Sequence, residues 1–298
     1  MATQTFRNKL AAASETNNSA LCVGLDPDPK KFPGGWRDDP RRIFEFCTGV
    51  VGVTSNLAQA YKPNIAFFSA YGAEDQLEQV IHYIARHAPG VPVILDAKRG
   101  DIGSTAEHYA REAFERYGAD AVTLSPYLGQ DSIEPYLRYE GKGVILLTKT
   151  SNPGSGDLQD REVILTEAEF QAIQELLGYE LPRNMSLPLW QFLAYRIVHQ
   201  WQIDPERLGL VVGATYPAAL KWVRAVAGRE VTLLAPGMGA QGALPEDIMA
   251  VWTGSGSVIA NVSRSILYPK LIPGEDYFAG VRRVAKEARD LLNQFRNA

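Results

Sequence analysis

The chain has 298 residues, 46% of them hydrophobic and 21% charged, which is enough apolar material for one large core or two modest ones in a soluble globular protein. Thirty Lys and Arg against 34 Asp and Glu leave a net charge of -4, with no basic tail, which argues against a general nucleic-acid binder. No window approaches the roughly 18 uninterrupted apolar residues of a membrane span. The opening MATQTFRNKLAAASETNNS also lacks the apolar stretch of a secretion signal, so a cytoplasmic protein that touches no membrane is expected.

Eight short, β-rich apolar runs follow one another along the chain: ALCVGLD (20–26), AQAYK (58–62), VPVILDAK (91–98), DAVTLSP (120–126), GVILLTKT (143–150), LGLVVGAT (208–215), EVTLLAPG (230–237) and GSVIANVS (256–263). They are nearly continuous in apolar character rather than alternating, as parallel strands covered on both faces should be. Helical patterns lie between them, at 41–57, 74–88, 104–117, 217–227, 245–253 and about 275–295. This alternation predicts a parallel α/β sheet, and eight strand–helix units fit a closed (β/α)8 barrel. A doubly wound sheet would more naturally show GxGxxG after the first strand, and CVGLDPD does not supply it. The stretch 151–207 is too long for one connection and holds two helical patterns, TEAEFQAIQELLG and LPLWQFLAYRIVHQW, so it reads as a helical insertion or lid region. Residues 1–298 are taken as a single domain. Cys22 and Cys47 sit inside apolar runs and read as inert core thiols.

The charges gather at the predicted strand ends. Asp96 and Lys98 are two apart in the third strand, which turns both side chains to one side, near the carboxyl end where a barrel keeps its active site. Asp101 follows, placed to lean over the mouth or across to a neighbour. Asp26 closes the first strand and Lys62 the second, where Pro63 stops the ladder. Each has a plainer reading, a turn-capping Asp and a rim Lys, and Asp96–Lys98 could be a self-satisfied pair; convergence of all of them favours a site. Ser104 with Glu107 makes an S-x-x-E capping box, so Ser104 reads as structural, while Thr105 could face a ligand. The seventh strand runs into APGMGAQG (235–242), with Gln241, and the eighth into NVSRSI (261–266), with Arg264 as a fork-shaped cation. The loops after strands seven and eight are the usual phosphate site of such barrels. The TSNPGSGD loop reads equally well as a mobile lid or a plain turn. His82, His87, His108 and His199 lack ligand spacing, and no metal site is expected.

With these residues in hand, the chain resembles the orotidine 5'-phosphate decarboxylase family, in its longer bacterial subfamily. The likeness runs through CVGLD, YKPN, DAKRGDI, LTKTSNPGS, APGMGAQG and NVSRSI, in the family's order over nearly the whole chain. It implies a homodimer of barrels that converts orotidine monophosphate to UMP without metal or organic cofactor. It also implies that Lys62, Asp96, Lys98 and Asp101 form the alternating charged array. Asp101 and Thr105 would reach the partner's site, Asp26 would bind ribose hydroxyls, Gln241 and Arg264 would hold the phosphate, and Ser151 would touch the base. The nearest rival, a metal-dependent sugar-phosphate decarboxylase of the same superfamily, carries an acidic metal ligand where this chain has Lys62. A catalytically idle nucleotide-binding barrel would tolerate loss of Lys98.

Overall fold

The computed structural model describes residues 4–178, 180–181, 184–239 and 242–296. All eight predicted strands form, as Leu21–Leu25, Ala60–Pro63, Ile94–Arg99, Ala121–Leu124, Gly143–Lys149, Leu208–Val212, Thr232–Pro236 and Val258–Val262. Each pairs in parallel with its neighbours in chain order, and the eighth pairs with the first. Parallel bridges from Tyr61 to Val93 and from Asn64 to Asp96 close the ring between strands two and three. The result is a (β/α)8 barrel.

Helices cover the outside because their apolar residues recur on one face. In Glu74–His87 the buried positions are Leu77, Val80, Ile81 and Ile84, with Glu74 and Asp75 in the first turn and Arg86 and His87 in the last. Pro217 at the start and Gly228 just beyond the end fix the helix Pro217–Ala227 at its predicted bounds. The helix joining strands one and two begins later than its pattern suggests. Asp39 caps a separate 3-10 turn, Pro40–Arg42, and the helix proper runs Ile43–Thr54. None of the helices is long and apolar enough to cross a membrane, among the described residues.

Two features escaped the periodicity. A helix at Phe6–Thr16 buries Phe6, Leu10 and Ala13, and its first two anchors join the barrel's innermost cluster with Cys22, Ala60, Ile94 and Ile259. It plugs the amino-terminal mouth: a Cβ on Gly143 would lie 2.5 Å from the Phe6 ring. In the long connection both predicted helices form, as Glu167–Leu177 and Leu189–His199. A two-stranded antiparallel ribbon, Glu162–Ile164 with Ser186–Pro188, accompanies them. The first helix carries a complete capping box from Thr166 and Glu169. The expected Ser104–Glu107 box does not form: the helix already starts at Gly103, Ile102 is its cap, and Glu107 pairs with Arg138 instead.

Candidate active site

Strand geometry lays the floor of the site. Cys22, Ala60, Ile94, Ala121, Ile145, Leu234 and Ile259 fill the barrel interior, and a strand repeats its facing every second residue. Two residues further toward the carboxyl end, the same inward direction is taken by Gly24, Lys62, Asp96, Thr123, Leu147, Pro236 and Asn261. An apolar layer is thus followed by one that is largely polar, and the change occurs where the barrel opens.

Asp96 is the hub of that layer. Its Oδ2 accepts from Lys62 Nζ at 2.7 Å and its Oδ1 from Lys98 Nζ at 2.6 Å. Thr123 Oγ1 donates to the same Oδ1 at 2.9 Å. Burial alone would raise the Asp96 pKa, but Lys62 and then Lys98 overcome it and hold the carboxyl well below its ordinary range. Burial works the opposite way on Lys62, yet Asp96, followed by Asp26 and Cys22, keeps that ammonium charged beyond its ordinary range. Lys98 differs in its surroundings: its side chain is 52% exposed against 6% for Lys62, so its head faces the open mouth. The spacing of two put Asp96 and Lys98 on one side of the strand, and the structure joins them as an ion pair. The route is less regular than a plain strand, because the pairing with strand four shifts between Leu95 and Arg99, and Lys98 takes a left-handed conformation with φ +46°.

Above this cluster lies a cavity of about 510 Å³, lined on its apolar side by Leu147, Val211, Leu234 and Pro236 and on its polar side by Ser151, Asn152 and Gln159. Ser151 comes close because the end of strand six is glycine: a Cβ on Gly213 would stand 2.9 Å from the Ser151 backbone. The segment carrying Ser151 is tied down at both ends. Lys149 Nζ meets Asp160 Oδ1 at 2.6 Å and lies 4.8 Å from the centre of the Tyr216 ring, while the Gln159 amide bonds both the N–H and the hydroxyl of Thr150. A short helix, Gly156–Gln159, sits between these ties, so TSNPGSGD is a folded latch rather than an open turn.

A second recess, about 110 Å³, shares Pro236 with the first and is lined by Asp26, Asn261, Ser263 and Arg264. The close fit of strands one and eight depends on Gly24, whose Cβ would fall 1.8 Å from Ser263 Oγ. Asp26 Oδ1 and Asn261 Oδ1 are buried there without a hydrogen-bond partner, the state of acceptors waiting for a donor. Arg264 is exposed and makes no salt bridge among the described residues, which removes its plainer reading as half of a surface ion pair. Gln241 lies outside the described residues. Asp101 makes no salt bridge with Lys98, its Oδ1 accepting from the Ile102 N–H at 2.8 Å, and Thr105 is exposed on the first turn of the next helix.

The sequence reading missed Thr123, Asn261 and Gln159. Thr123 and Asn261 sit two residues beyond barrel-facing Ala121 and Ile259, and that offset was the signal available. All four histidines are exposed on helices, and both cysteines are buried and free, burial pushing Cys22 up to about 12. No group of three or more His, Cys, Asp or Glu is arranged to hold a metal ion, among the described residues.

A closed parallel barrel with a lysine-flanked carboxylate at its carboxyl mouth and an arginine recess after strand eight defines an α/β-barrel enzyme for small phosphorylated ligands. Residues 19–271 match the family described as orotidine 5'-phosphate decarboxylase / HUMPS. Orotidine 5'-phosphate decarboxylases of Leptothrix cholodnii and Variovorax paradoxus are each 50% identical, the first over 97% of this chain and 96% of its own, the second over 97% and 98%. The solved OMP decarboxylase of Leishmania donovani superposes with TM-score 0.77 at 34% identity, over 99% of this chain and 100% of its own. The longer UMP synthase of the same organism superposes with TM-score 0.80 at 36% identity over 99% of this chain, which spans 57% of that one. The chain belongs to the orotidine 5'-phosphate decarboxylase / HUMPS family.

Proposed function

We propose that Lys62, Asp96 and Lys98 are the reacting centre of this chain, with Lys98 as proton donor. The enzyme decarboxylates orotidine 5'-monophosphate to UMP and CO2, the last step in making UMP de novo. Losing CO2 breaks the bond from C6 to the carboxylate carbon and leaves the electron pair on C6, which has no conjugated sink. A fixed cation beside C6 stabilises that pair, and the same ammonium then transfers a proton from Nζ to C6. Lys98 regains its proton from solvent through the open mouth. The observation that carries this assignment is Asp96 gripped by two ammoniums, at 2.7 and 2.6 Å.

Asp96 also faces the space for the departing carboxylate. Two like charges about 4 Å apart repel by roughly 4 kcal/mol at an effective dielectric near 20, about three decades of rate at most. Asp26, with its unpartnered oxygen, is assigned to the ribose hydroxyls, Arg264 and Gln241 to the phosphate, and Ser151 to the base. Phosphate held far from C6 contributes by seating the substrate and drawing the latch over it.

The working enzyme is proposed to be a cytoplasmic homodimer that acts without metal or organic cofactor, residues 1–298 forming one catalytic unit and 151–207 its lid region. Support for the dimer comes from the loops after strands three and four. They adjoin through the Ser125 N–H to Arg99 O at 2.7 Å and expose Ile102, which follows Asp101 in the chain, together with Tyr127 and Leu128. Mixing inactive Lys98→Ala and Asp101→Ala subunits is expected to restore about a quarter of the wild-type activity, because half of the sites in hybrid dimers are whole. No recovery would place Asp101 in its own subunit's site.

The deciding assay follows the fall in absorbance as orotidine 5'-monophosphate is consumed in EDTA, for wild type and Lys98→Ala. Turnover by wild type alone is the expected result. A wild type that EDTA silences would favour the metal-dependent sugar-phosphate chemistry, and an active Lys98→Ala would remove Lys98 from the reaction.

A further inference from the structure

We propose that Thr123 is a positioning residue for the decarboxylation, a hydroxyl clamp that fixes Asp96 and sets the backbone from which Lys98 projects. The inference deepens the function proposed above and rests on its assignment of Asp96 and Lys98.

Thr123 lies in strand four, 1% exposed, in the polar layer at the barrel's mouth. Its hydroxyl makes three hydrogen bonds at once. It donates to Asp96 Oδ1 at 2.9 Å and accepts from the N–H groups of Ala97 and Lys98, each at 3.0 Å. A hydroxyl has one proton and two lone pairs. With both lone pairs engaged by backbone donors, the proton has one remaining use, and it points at Asp96. Thr123 lines the substrate cavity yet has nothing left to offer a ligand, so its influence must pass through its two neighbours.

Those neighbours need the help for different reasons. Lys62 is immobilised by burial, whereas half of the Lys98 side chain is open to solvent and little packs around its head. What aims Lys98 is its contact with Asp96 and the path of its own backbone. That path is irregular: the register slips between Leu95 and Arg99, and Lys98 adopts φ +46°, which a side-chain-bearing residue holds only when its surroundings impose it. The slip takes the Ala97 and Lys98 N–H groups out of regular pairing, and Thr123 Oγ1 receives both. One oxygen therefore maintains the kink that presents Lys98 and the orientation of the carboxylate that receives it. Misplacing a proton donor by about 1 Å is enough to cost about a hundredfold in rate, while the binding of base, ribose and phosphate elsewhere is left intact.

The test compares Thr123→Val, which keeps the shape and removes the hydroxyl, with Thr123→Ser, which keeps the hydroxyl and removes a methyl. The valine variant is expected to lose at least tenfold in kcat with KM within about threefold of wild type, and the serine variant to keep kcat within about threefold. A uniformly loosened fold would move both variants alike and would raise KM. Thermal melts establish that each variant is folded, and Thr123→Ala replaces valine if valine is not accommodated. A folded valine or alanine variant with kcat within about twofold of wild type overturns the proposal, as does an equal loss in the serine variant. Failure of both valine and alanine to fold would make Thr123 a stability residue and overturn it as well. Asp96→Asn and Lys98→Ala run alongside as controls. If these still turn over, the reading of the whole site falls; if they are dead and valine is active, only the role of Thr123 falls.

Discussion

Lys62 and Asp96, on adjacent strands and 34 positions apart, hold their charges 2.7 Å from each other with both side chains under one-tenth exposed. Removing one partner of a buried pair strands the other charge, at a cost of about 3–5 kcal/mol. Lys62→Met, close in volume, is expected to lower stability by about 3 kcal/mol, because Lys98 and Thr123 still serve Asp96. A urea titration reads this directly, and an unchanged midpoint would contradict it.

The same pair sets a pH signature. Asp96 is held below 3.8, so the unfolded chain takes its proton more readily; its contribution is complete above about pH 4–5 and fades as acid reaches the lowered value. Lys62 is held above 10.5, so its contribution is whole below that and is lost as pH rises through the raised value. Urea midpoints of wild type should fall at both extremes. The alkaline fall should be shallower in Lys62→Met, and parallel curves would refute the linkage.

Arg264 supplies a cation to the recess at the carboxyl ends of strands seven and eight. Its replacement by Ala should lower kcat/KM by about tenfold to a hundredfold, the worth of a hydrogen bond between charged groups at about 1.5–3 kcal/mol. Steady-state kinetics with the nucleotide test this, and unchanged constants would remove the phosphate from that recess.

Asp160 anchors the latch through Lys149, which is itself 4% exposed. Asp160→Asn should raise KM about threefold to tenfold by loosening the segment that carries Ser151, and should quicken hydrogen exchange over residues 150–161. Equal exchange in both proteins would argue against the latch.

Arg224 offers a control remote from the chemistry. Half-buried on the barrel's far side, it donates to four carbonyls, of Val251, Gly228, Val231 and Ser257, at 2.7–3.0 Å, and loss of hydration lowers it to about 10. Arg224→Ala should destabilise by about 3 kcal/mol while leaving kcat unchanged at moderate temperature, as melting curves and assays would show.

The barrel was legible because apolar runs and punctuating Gly, Pro and Asp need no knowledge of their neighbours. Charged residues were legible too: Lys62, Asp96 and Lys98 stand out in strands otherwise apolar, where a charge demands a reason. Thr123 and Asn261 do not stand out, since a neutral polar side chain is common anywhere. Their importance comes from the bond of Thr123 to Asp96 and the recess Asn261 shares with Asp26, both set by pairing between strands. Ser104 and Glu107 show the converse error. Their spacing satisfied a local rule, but Arg138, 31 residues from Glu107, took its carboxylate, and the helix began one residue early. The opening helix was overlooked because its Phe6, Leu10, Ala13 spacing is short and becomes meaningful only when there is a barrel for it to enter.

That helix has a consequence for the order of assembly. Its anchors rest against side chains from strands one, two, three and eight, and the Arg7 N–H bonds Glu206 O at 3.1 Å. A stopper cannot seat in a ring that has not closed, and the ring closes only when Val258–Val262 takes its place between strands one and seven. This helix, which precedes all eight strands in the chain, therefore waits for the last of them before it can bury Phe6 and Leu10. Until then, two apolar side chains ahead of the first strand stay open to whatever they meet.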